Sequence, residues 1–274
     1  VEVLTAKDLS PNARLSHKEL YEALSAGKYE MAQTYTTYLG SFNPHFWALD
    51  LPFLFRDHKH AAKVLDGKVG GELLAGLGNQ HLQGLAFTYS GGYRVIPTAS
   101  KEIHKLEDFK GLRVRIANFS PVASATMRQV GAVPVAVSPD AGIEETANKL
   151  LDGMEITLPR YWEAQDRDQN KVINKTEHSL FLTAILVNSD FYAKLPPKYQ
   201  KMLSKAAIEM ARAERQDSIR SGDEIREKLS SNGMRLIQMN ANEISRFRKA
   251  VSPVYEEVGD LVGRDLVKRI QRVQ

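Results

Sequence analysis

Residues 112–137 read LRVRIANFSPVASATMRQVGAVPVAV. Leu112, Val114 and Ile116 alternate with Arg113 and Arg115, the two-residue period of a strand with unlike faces. A helix is expected over Pro121–Val130, and Val133–Val137 is an apolar run expected to be a buried strand. Strand, helix and strand in succession imply an α/β fold with largely parallel pairing.

The same alternation continues outward. Upstream, Leu82–Thr88 and Tyr93–Ile96 read as strands, and Asp57–Leu77 as two short helices broken at Gly67, with Asp57 as N-cap. Before them come a strand at Val1–Leu4, a helix at Ser16–Ser25 with Leu20 and Leu24 on its apolar stripe, a stop at Gly27 and a strand at Tyr29–Tyr35. Downstream, Phe181–Val187 is a strongly apolar strand. Pro196–Ser231 favours helix almost throughout, punctuated by proline at its start and Asn232-Gly233 at its end. Tyr199, Met202, Leu203, Ala206 and Met210 are spaced for one buried face. At ~1.5 Å per residue this helix runs on the order of 50 Å, unless Gly222 breaks it, longer than one small lobe is wide. A short strand at Met234–Met239 and two terminal helices complete the chain.

The 274 residues suffice for one large or two modest domains. With 43% hydrophobic and 26% charged residues, the chain has the makings of a real core and is not a disordered one. Its 37 basic and 33 acidic residues give +4 and a pI near 9.1, spread along the chain with no basic stripe and interleaved aromatics, so nucleic acid is not an expected partner. The absence of cysteine excludes disulfides, thiolate metal sites and cysteine nucleophiles. The longest uncharged stretch, Leu73–Tyr93, holds five glycines and several polar residues, so it is not a membrane span. The chain opens at Val1 with no signal peptide, which implies processing or a natural beginning outside the sequence.

Recognisable chemistry is sparse. The chain has no His-Glu-x-x-His, no Gly-x-Ser-x-Gly and no phosphate-binding loop, and Gly67, Gly70, Gly71, Gly76 and Gly78 read as helix ends. His58 and His60 flank Lys59 and on a helix point roughly 200° apart, so surface histidines are expected rather than a metal site. Asp152 and Glu155 are spaced for an acid/base pair but lack a nucleophile or metal, which favours polar or structural roles. The arginines are more informative. Arg113 and Arg115 share one face of an apolar strand, and Arg94 follows a Gly-Gly pair at the edge of another. A guanidinium pointing inward needs a carboxylate or phosphate, from an internal salt bridge or from a ligand, and solvent exposure is the remaining reading.

Five ordered blocks carry a family resemblance. They are Leu20-Tyr21-Glu22-Ala23-Leu24-Ser25-Ala26-Gly27 followed by Glu30-Met31-Ala32; Asp50 with Leu51-Pro52-Phe53-Leu54-Phe55-Arg56; Leu106-Glu107-Asp108-Phe109-Lys110-Gly111-Leu112-Arg113-Val114-Arg115; Asp152-Gly153-Met154-Glu155; and Leu195-Pro196-Pro197-Lys198-Tyr199-Gln200. In order and spacing the chain resembles the substrate-binding proteins of tripartite ATP-independent periplasmic (TRAP) transporters, of the C4-dicarboxylate-binding type. The resemblance implies an α/β fold of two lobes like other periplasmic binding proteins, with a hinge and the long helix spanning both lobes. Lobe I would comprise residues 1–91 and 207–245, and lobe II residues 92–206 and 246–274. It implies no catalysis, no cofactor and no metal. The partners would be a small organic acid and the membrane permease subunits, and the location periplasmic, with the protein not itself embedded in the membrane.

By the same resemblance, Arg115 clamps the ligand carboxylate, Arg94 matches a second arginine and Asn118 a polar pocket position. Glu155 falls in the pocket block, while the segment Gln33–Tyr38, with Thr36 and Tyr38 as its candidate contacts, and the aromatics Phe46 and Trp47 lie on the opposite lobe, across the cleft. The chain departs from the family pattern at Ile156, where Asn or Trp is common, and at Ala141, Ile143 and Lys149, in place of a Glu-x-Tyr and a closing glycine. Phe181 stands where some members carry a pocket asparagine. These departures favour an apolar or aromatic ligand body, with Trp162 and Phe181 as walls or simply as core. A strand and helix normally precede the strand matched to Val1–Leu4, so that unit is expected to be missing from this chain. The same fold used as the sensor of a signalling system, and an enzyme built on Asp152 and Glu155, are the alternatives.

Overall fold

A computed structural model describes residues 3–4, 16–117, 120–137, 151–163 and 171–274. The first helix, His17–Ser25, starts where Ser16 and Glu19 form a reciprocal capping box, and it ends before Gly27, whose φ of 75° suits glycine. The strands are β1 (Met31–Tyr35), β2 (Leu82–Thr98), β3 (Arg113–Ala117), β4 (Val133–Val137), β5 (Gly153–Met154), β6 (Ile156–Thr157), β7 (Val172–Lys175), β8 (Leu180–Asn188) and β9 (Arg235–Gln238). Three helices matter for the site: α1 (Pro121–Gln129), α2 (Leu158–Glu163) and α3 (Pro197–Ser231).

β2 organises the sheet. The two strands expected at Leu82–Thr88 and Tyr93–Ile96 are one strand of 17 residues, carried through Gly91 and Gly92 at φ of 85° and 90°. Its first part pairs with β8, which also pairs with β1, and its second part pairs with β5, β6 and β7. The register slips between Tyr89 and Gly92, so the glycines form a bulge that redirects the strand from one set of partners to the other. β8, which the expected boundaries give to lobe II, is bonded along its length to β1 and the first part of β2, which they give to lobe I.

The expectation of largely parallel pairing is corrected. Among the described residues, all of β2's pairings and β1–β8 are antiparallel, and only β3–β4, β3–β5 and β7–β9 are parallel. A helical crossover such as α1 is needed for a parallel pair, whereas β2 is met mostly by segments returning beside it. Nor is β4 buried: it is the outer strand of the path and Val133 is 47% exposed. Val3 and Leu4 are exposed and outside any strand, and Val1 and Glu2 lie outside the described residues. The two terminal helices are four short ones, Ala241–Val251, Pro253–Glu257, Gly259–Val262 and Arg264–Arg272, divided at Pro253 and Gly263.

α3 runs unbroken through Gly222, but its buried face is not the expected one. Ala207, Ala211, Arg215, Ile225 and Leu229 are buried, while Tyr199, Met202 and Met210 are about half exposed. The small Ala207 and Ala211 let the helix lie close on Leu85, Ala86, Ile185 and Val187, which leaves the bulkier residues on its flank in solvent. Farther along, Ile225 and Leu229 join Val95, Met154, Ile156, Tyr161 and Ile173. One helix therefore packs on both parts of β2. It also satisfies the backbone near the bulge: Arg215 donates to the Phe87 carbonyl and bidentately to Asp66, and Glu214 accepts the Tyr89 N–H.

His60 is buried rather than on the surface. Its Nδ1 accepts the Arg56 N–H, so Nε2 carries the proton donated to the Ile270 carbonyl. This ties helix His58–Leu65 to the C-terminal helices.

The bulge yields a test. A Cβ on Gly91 would lie 2.5 Å from the Thr157 hydroxyl, whereas one on Gly92 meets nothing within 4 Å. Both positions have positive φ, which for alanine costs about 1–2 kcal/mol. Urea unfolding should show both Gly91→Ala and Gly92→Ala destabilised, with Gly91→Ala losing distinctly more.

Candidate functional site

The β2 bulge sets Gly92 opposite Phe181 and Tyr93 opposite Leu180, and the next residue, Arg94, pairs with Thr157 of β6. Arg94 is thereby held between the start of β8 and the β5–β6 segment, and it is buried. Its Nη1 donates to the Ser179 hydroxyl at 3.0 Å and reaches Asp50 at 3.4 Å, and its Nε lies 3.5 Å from Glu155. The guanidinium also sits 4.1 Å from the centre of the Phe181 ring. The internal salt bridge, one of the readings open for this arginine, is thus made, and solvent exposure is not.

Both carboxylates are held further. Asp50, at the end of the 3-10 segment Pro44–Asp50, accepts from the Thr37 hydroxyl and from Ser120, the N-cap of α1. Glu155 accepts from His178 Nε2 at 2.8 Å, and His178 Nδ1 bonds Thr176 at 2.9 Å. The hydrogen bond to Glu155 fixes the proton on Nε2, leaving Nδ1 to accept from Thr176. Burial pushes Asp50 above the ordinary carboxylate range, against the pull of Arg94. Burial also acts to raise Glu155, but Arg94, the His178 hydrogen bond and Arg115 outweigh it and leave its pKa lowered.

Arg115 is placed differently. Val114 and Ile116 enter the core, which turns Arg113 and Arg115 to the other face, as the alternation predicts. Arg113 is consumed by a bidentate pair with Asp152. Arg115 lies beside Met154 and Glu155 in the sheet, and the Glu155 N–H donates to its carbonyl. Among the described residues no carboxylate or carbonyl accepts a hydrogen bond from its side chain. Burial lowers its pKa, with Glu155 opposing and Arg160 and Arg94 adding to the shift, yet a guanidinium so placed stays charged.

Tyr35, at the end of β1, is within electrostatic reach of Arg115, and its ring stacks on that of Phe181 with centres 4.9 Å apart. Arg94 covers one side of Phe181 and His17 meets Tyr35 edge-on at 4.5 Å, so the pair presents edges rather than an open face. Arg160, on α2, donates to the Tyr35 hydroxyl. The cluster thus gathers three arginines against two carboxylates, both of which are committed to Arg94.

The other expected site residues lie elsewhere. Thr36 is buried and donates to the Leu182 carbonyl, and Tyr38 is buried among His17, Tyr21 and Phe42. Phe46 is fully buried, and Trp47 donates to the Thr37 carbonyl and fills the space beside Gly40. Trp162 packs on the cluster around Val95 and Tyr161. Asn118, Ala141, Ile143 and Lys149 lie outside the described residues. Asp152 and Glu155 are each bound in an ion pair, which leaves neither as a free general base. Asp50, Ser120, His178 and Arg160 were given no role from sequence, and Tyr35 was included only within the segment Gln33–Tyr38. Asp50 stood in a quoted block, and Arg160 in an otherwise apolar turn was the only other cue.

Residues 8–260 match the family DctP, bacterial extracellular solute-binding protein family 7. The chain belongs to this family. It is 25% identical over 265 residues to the C4-dicarboxylate-binding protein DctB of Bacillus subtilis, covering 96% of this chain and 75% of that one. It is 27% identical over 274 residues to the 2,3-diketo-L-gulonate-binding periplasmic protein YiaO of Escherichia coli, covering 97% and 81%. A crystal structure of a TRAP periplasmic solute-binding protein from Xanthobacter autotrophicus, with bound β-D-galacturonate, superposes with a TM-score of 0.84 at 29% identity, covering 94% of this chain and 85% of that one. The expected family and two-lobed α/β fold are therefore correct, and this family member is a solute-binding receptor.

The buried cluster has a pH signature. Because Glu155 has a lowered pKa when folded, its stabilisation is full above the ordinary glutamate range and is lost as pH falls through the folded value. Glu155→Gln should therefore destabilise the protein at neutral pH, by about 3–5 kcal/mol for a broken buried pair. The deficit should shrink as denaturation is repeated at progressively more acid pH.

Proposed function

We propose that this family member is the periplasmic receptor of a TRAP transporter, closing its two lobes on a small organic acid held at Arg115 and delivering it unchanged to the membrane permease. The carrying observation is the contrast between neighbouring arginines on one sheet. Arg113 and Arg94 are neutralised by protein carboxylates, and among the described residues Arg115 is not. A guanidinium fixed on a strand offers two parallel charge-assisted bonds to a carboxylate, and closure strengthens them by removing water. The acids bound by relatives, 2,3-diketo-L-gulonate and β-D-galacturonate, share only the carboxylate and a small polar body.

In this reading Arg94 braces the pocket together with Asp50, Glu155 and His178, and Asn118, outside the described residues, keeps the polar pocket role that the resemblance implies. Phe181 supplies an edge to the ligand, while Thr36, Tyr38, Trp47 and Trp162 support the walls from behind. The lobes cross at Gly91–Gly92, and β8 belongs with lobe I because it pairs with β1. Among the described residues no helix is long and apolar enough to cross a membrane, which fits a receptor meeting a separate permease.

The test is a thermal-shift screen of mono-, di-, keto- and sugar acids on unfolded and refolded protein, to remove any carried ligand. A ligand at ~100 times its dissociation constant adds ~2.7 kcal/mol, a rise of several degrees. One acid class should raise the midpoint, and Arg115→Ala should abolish the rise while remaining folded. A rise that survives the substitution would refute Arg115 as the anchor, and no rise with any acid would refute the acid receptor.

A further inference from the structure

We propose that two copies of this chain pair through the outer face of α3, the first halves of the two helices packing antiparallel about a two-fold axis at Ala206. Of the eight large apolar side chains exposed among the described residues, four lie within twelve residues of α3: Tyr199, Met202, Ile208 and Met210. Three of these belong to one stripe. Tyr199, Met202, Ala206, Met210 and Ala213 recur at steps of three or four residues, and at about 3.6 residues per turn they fall within an arc of roughly 80°. Ala206 and Ala213 are exposed as well. The helix meets its own sheet through Ala207 and Ala211, so the stripe stands to the side of that contact. Steps of this kind make the seam of a two-helix pair. Apolar side chains gathered in one exposed patch mark a protein contact.

The stripe fits a second copy of itself. Set antiparallel about Ala206, it brings Tyr199 over the small Ala213 and Met202 against Met210, and the alanines at the axis let the helices approach closely. Large meets small, and the unbranched methionines fill the space that remains. Charge sets the direction. Lys198 and Lys205 are exposed on the N-terminal side of Ala206, and Glu209 and Asp217 on its C-terminal side. Arg212 breaks the pattern but is committed to Asp66. Within one chain Lys205 and Glu209 form an i, i+4 pair at 3.7 Å with both side chains mostly in solvent. In the antiparallel pair Lys205 of each copy also comes beside Glu209 of the other, and Lys198 beside Asp217, whereas a parallel pair would set lysine against lysine. The contact uses the same patch on both copies, so it closes at two. At ~1.5 Å per residue the stripe is about 21 Å long, at the small end for a specific interface, so the dimer dissociates on dilution. It ends before Arg215, on the part of α3 that packs against Leu85, Ala86, Ile185 and Val187, and leaves the Gly91–Gly92 bulge clear.

The test is sedimentation equilibrium from low micromolar to near-millimolar concentration. The wild type should pass from the monomer toward twice its mass. Ala206→Glu sets like charges at the axis from an exposed helical position; it should keep the monomer's thermal midpoint and stay monomeric throughout. Lys205→Glu and Glu209→Lys should each weaken association severalfold, and the two together should restore it. The chain has no cysteine, so Ala206→Cys supplies one thiol per copy, and mild oxidation should link two copies through it. Ala213→Cys should not link to itself but should link to Tyr199→Cys when the two variants are mixed. A wild type that is monomeric at every concentration overturns the proposal and leaves the stripe to a different protein. A dimer that survives Ala206→Glu, or that the exchanged charges fail to restore, overturns the antiparallel seam.

Discussion

The buried guanidinium of Arg94 is the constraint on which the cleft depends. It is a charge that cannot be given up, placed where water does not reach, and it is tolerated because Asp50, Glu155, Ser179 and the face of Phe181 surround it. The partners come from three different stretches of chain, so one side chain ties the 3-10 segment, the β5–β6 link and the start of β8 to β2. Removing any partner would strand a charge in the interior, and this fixes their geometry. The consequence for function is subtractive. Once the two buried carboxylates are committed to Arg94, the neighbouring Arg115 is left without a carboxylate partner among the described residues, which is what the proposed anchor role rests on.

That arrangement requires β2 to serve two sets of strands, and the Gly91–Gly92 bulge allows it. A strand that changes partners midway leaves backbone groups to be satisfied and a joint to be supported. α3 does both, with Arg215 and Glu214 reaching the backbone near the bulge and with apolar contacts on either side of it. In the proposed closure, this joint would keep the lobes connected through continuous hydrogen-bonded structure while concentrating conformational freedom at two glycines.

Much of this was legible in the sequence, for identifiable reasons. The Arg113/Arg115 alternation, the Asp57 cap, the break at Gly67 and the proline and Asn-Gly ends of α3 are local signals, and each appears where expected. What failed was tertiary. The periodicity of Tyr199, Met202 and Met210 looked like a buried face, but close approach to the sheet selected the small Ala207 and Ala211 instead. Val133–Val137 is apolar enough to be buried, yet it lies at the outer edge of the sheet path. His60 looked like a surface histidine because its partner, the Ile270 carbonyl, is 210 residues away. In the site, Arg94 and Glu155 were marked singly, but their pairing with Asp50 and His178 depends on segments that meet only in the folded chain.

The most direct measurement is a crystal structure of the refolded protein with an acid that stabilises it. The account predicts a ligand carboxylate in bidentate contact with the Arg115 guanidinium, while Arg94 keeps its contacts to Asp50 and Glu155. A carboxylate bound by Arg94, with those ion pairs broken and Arg115 turned away from the ligand, would contradict it.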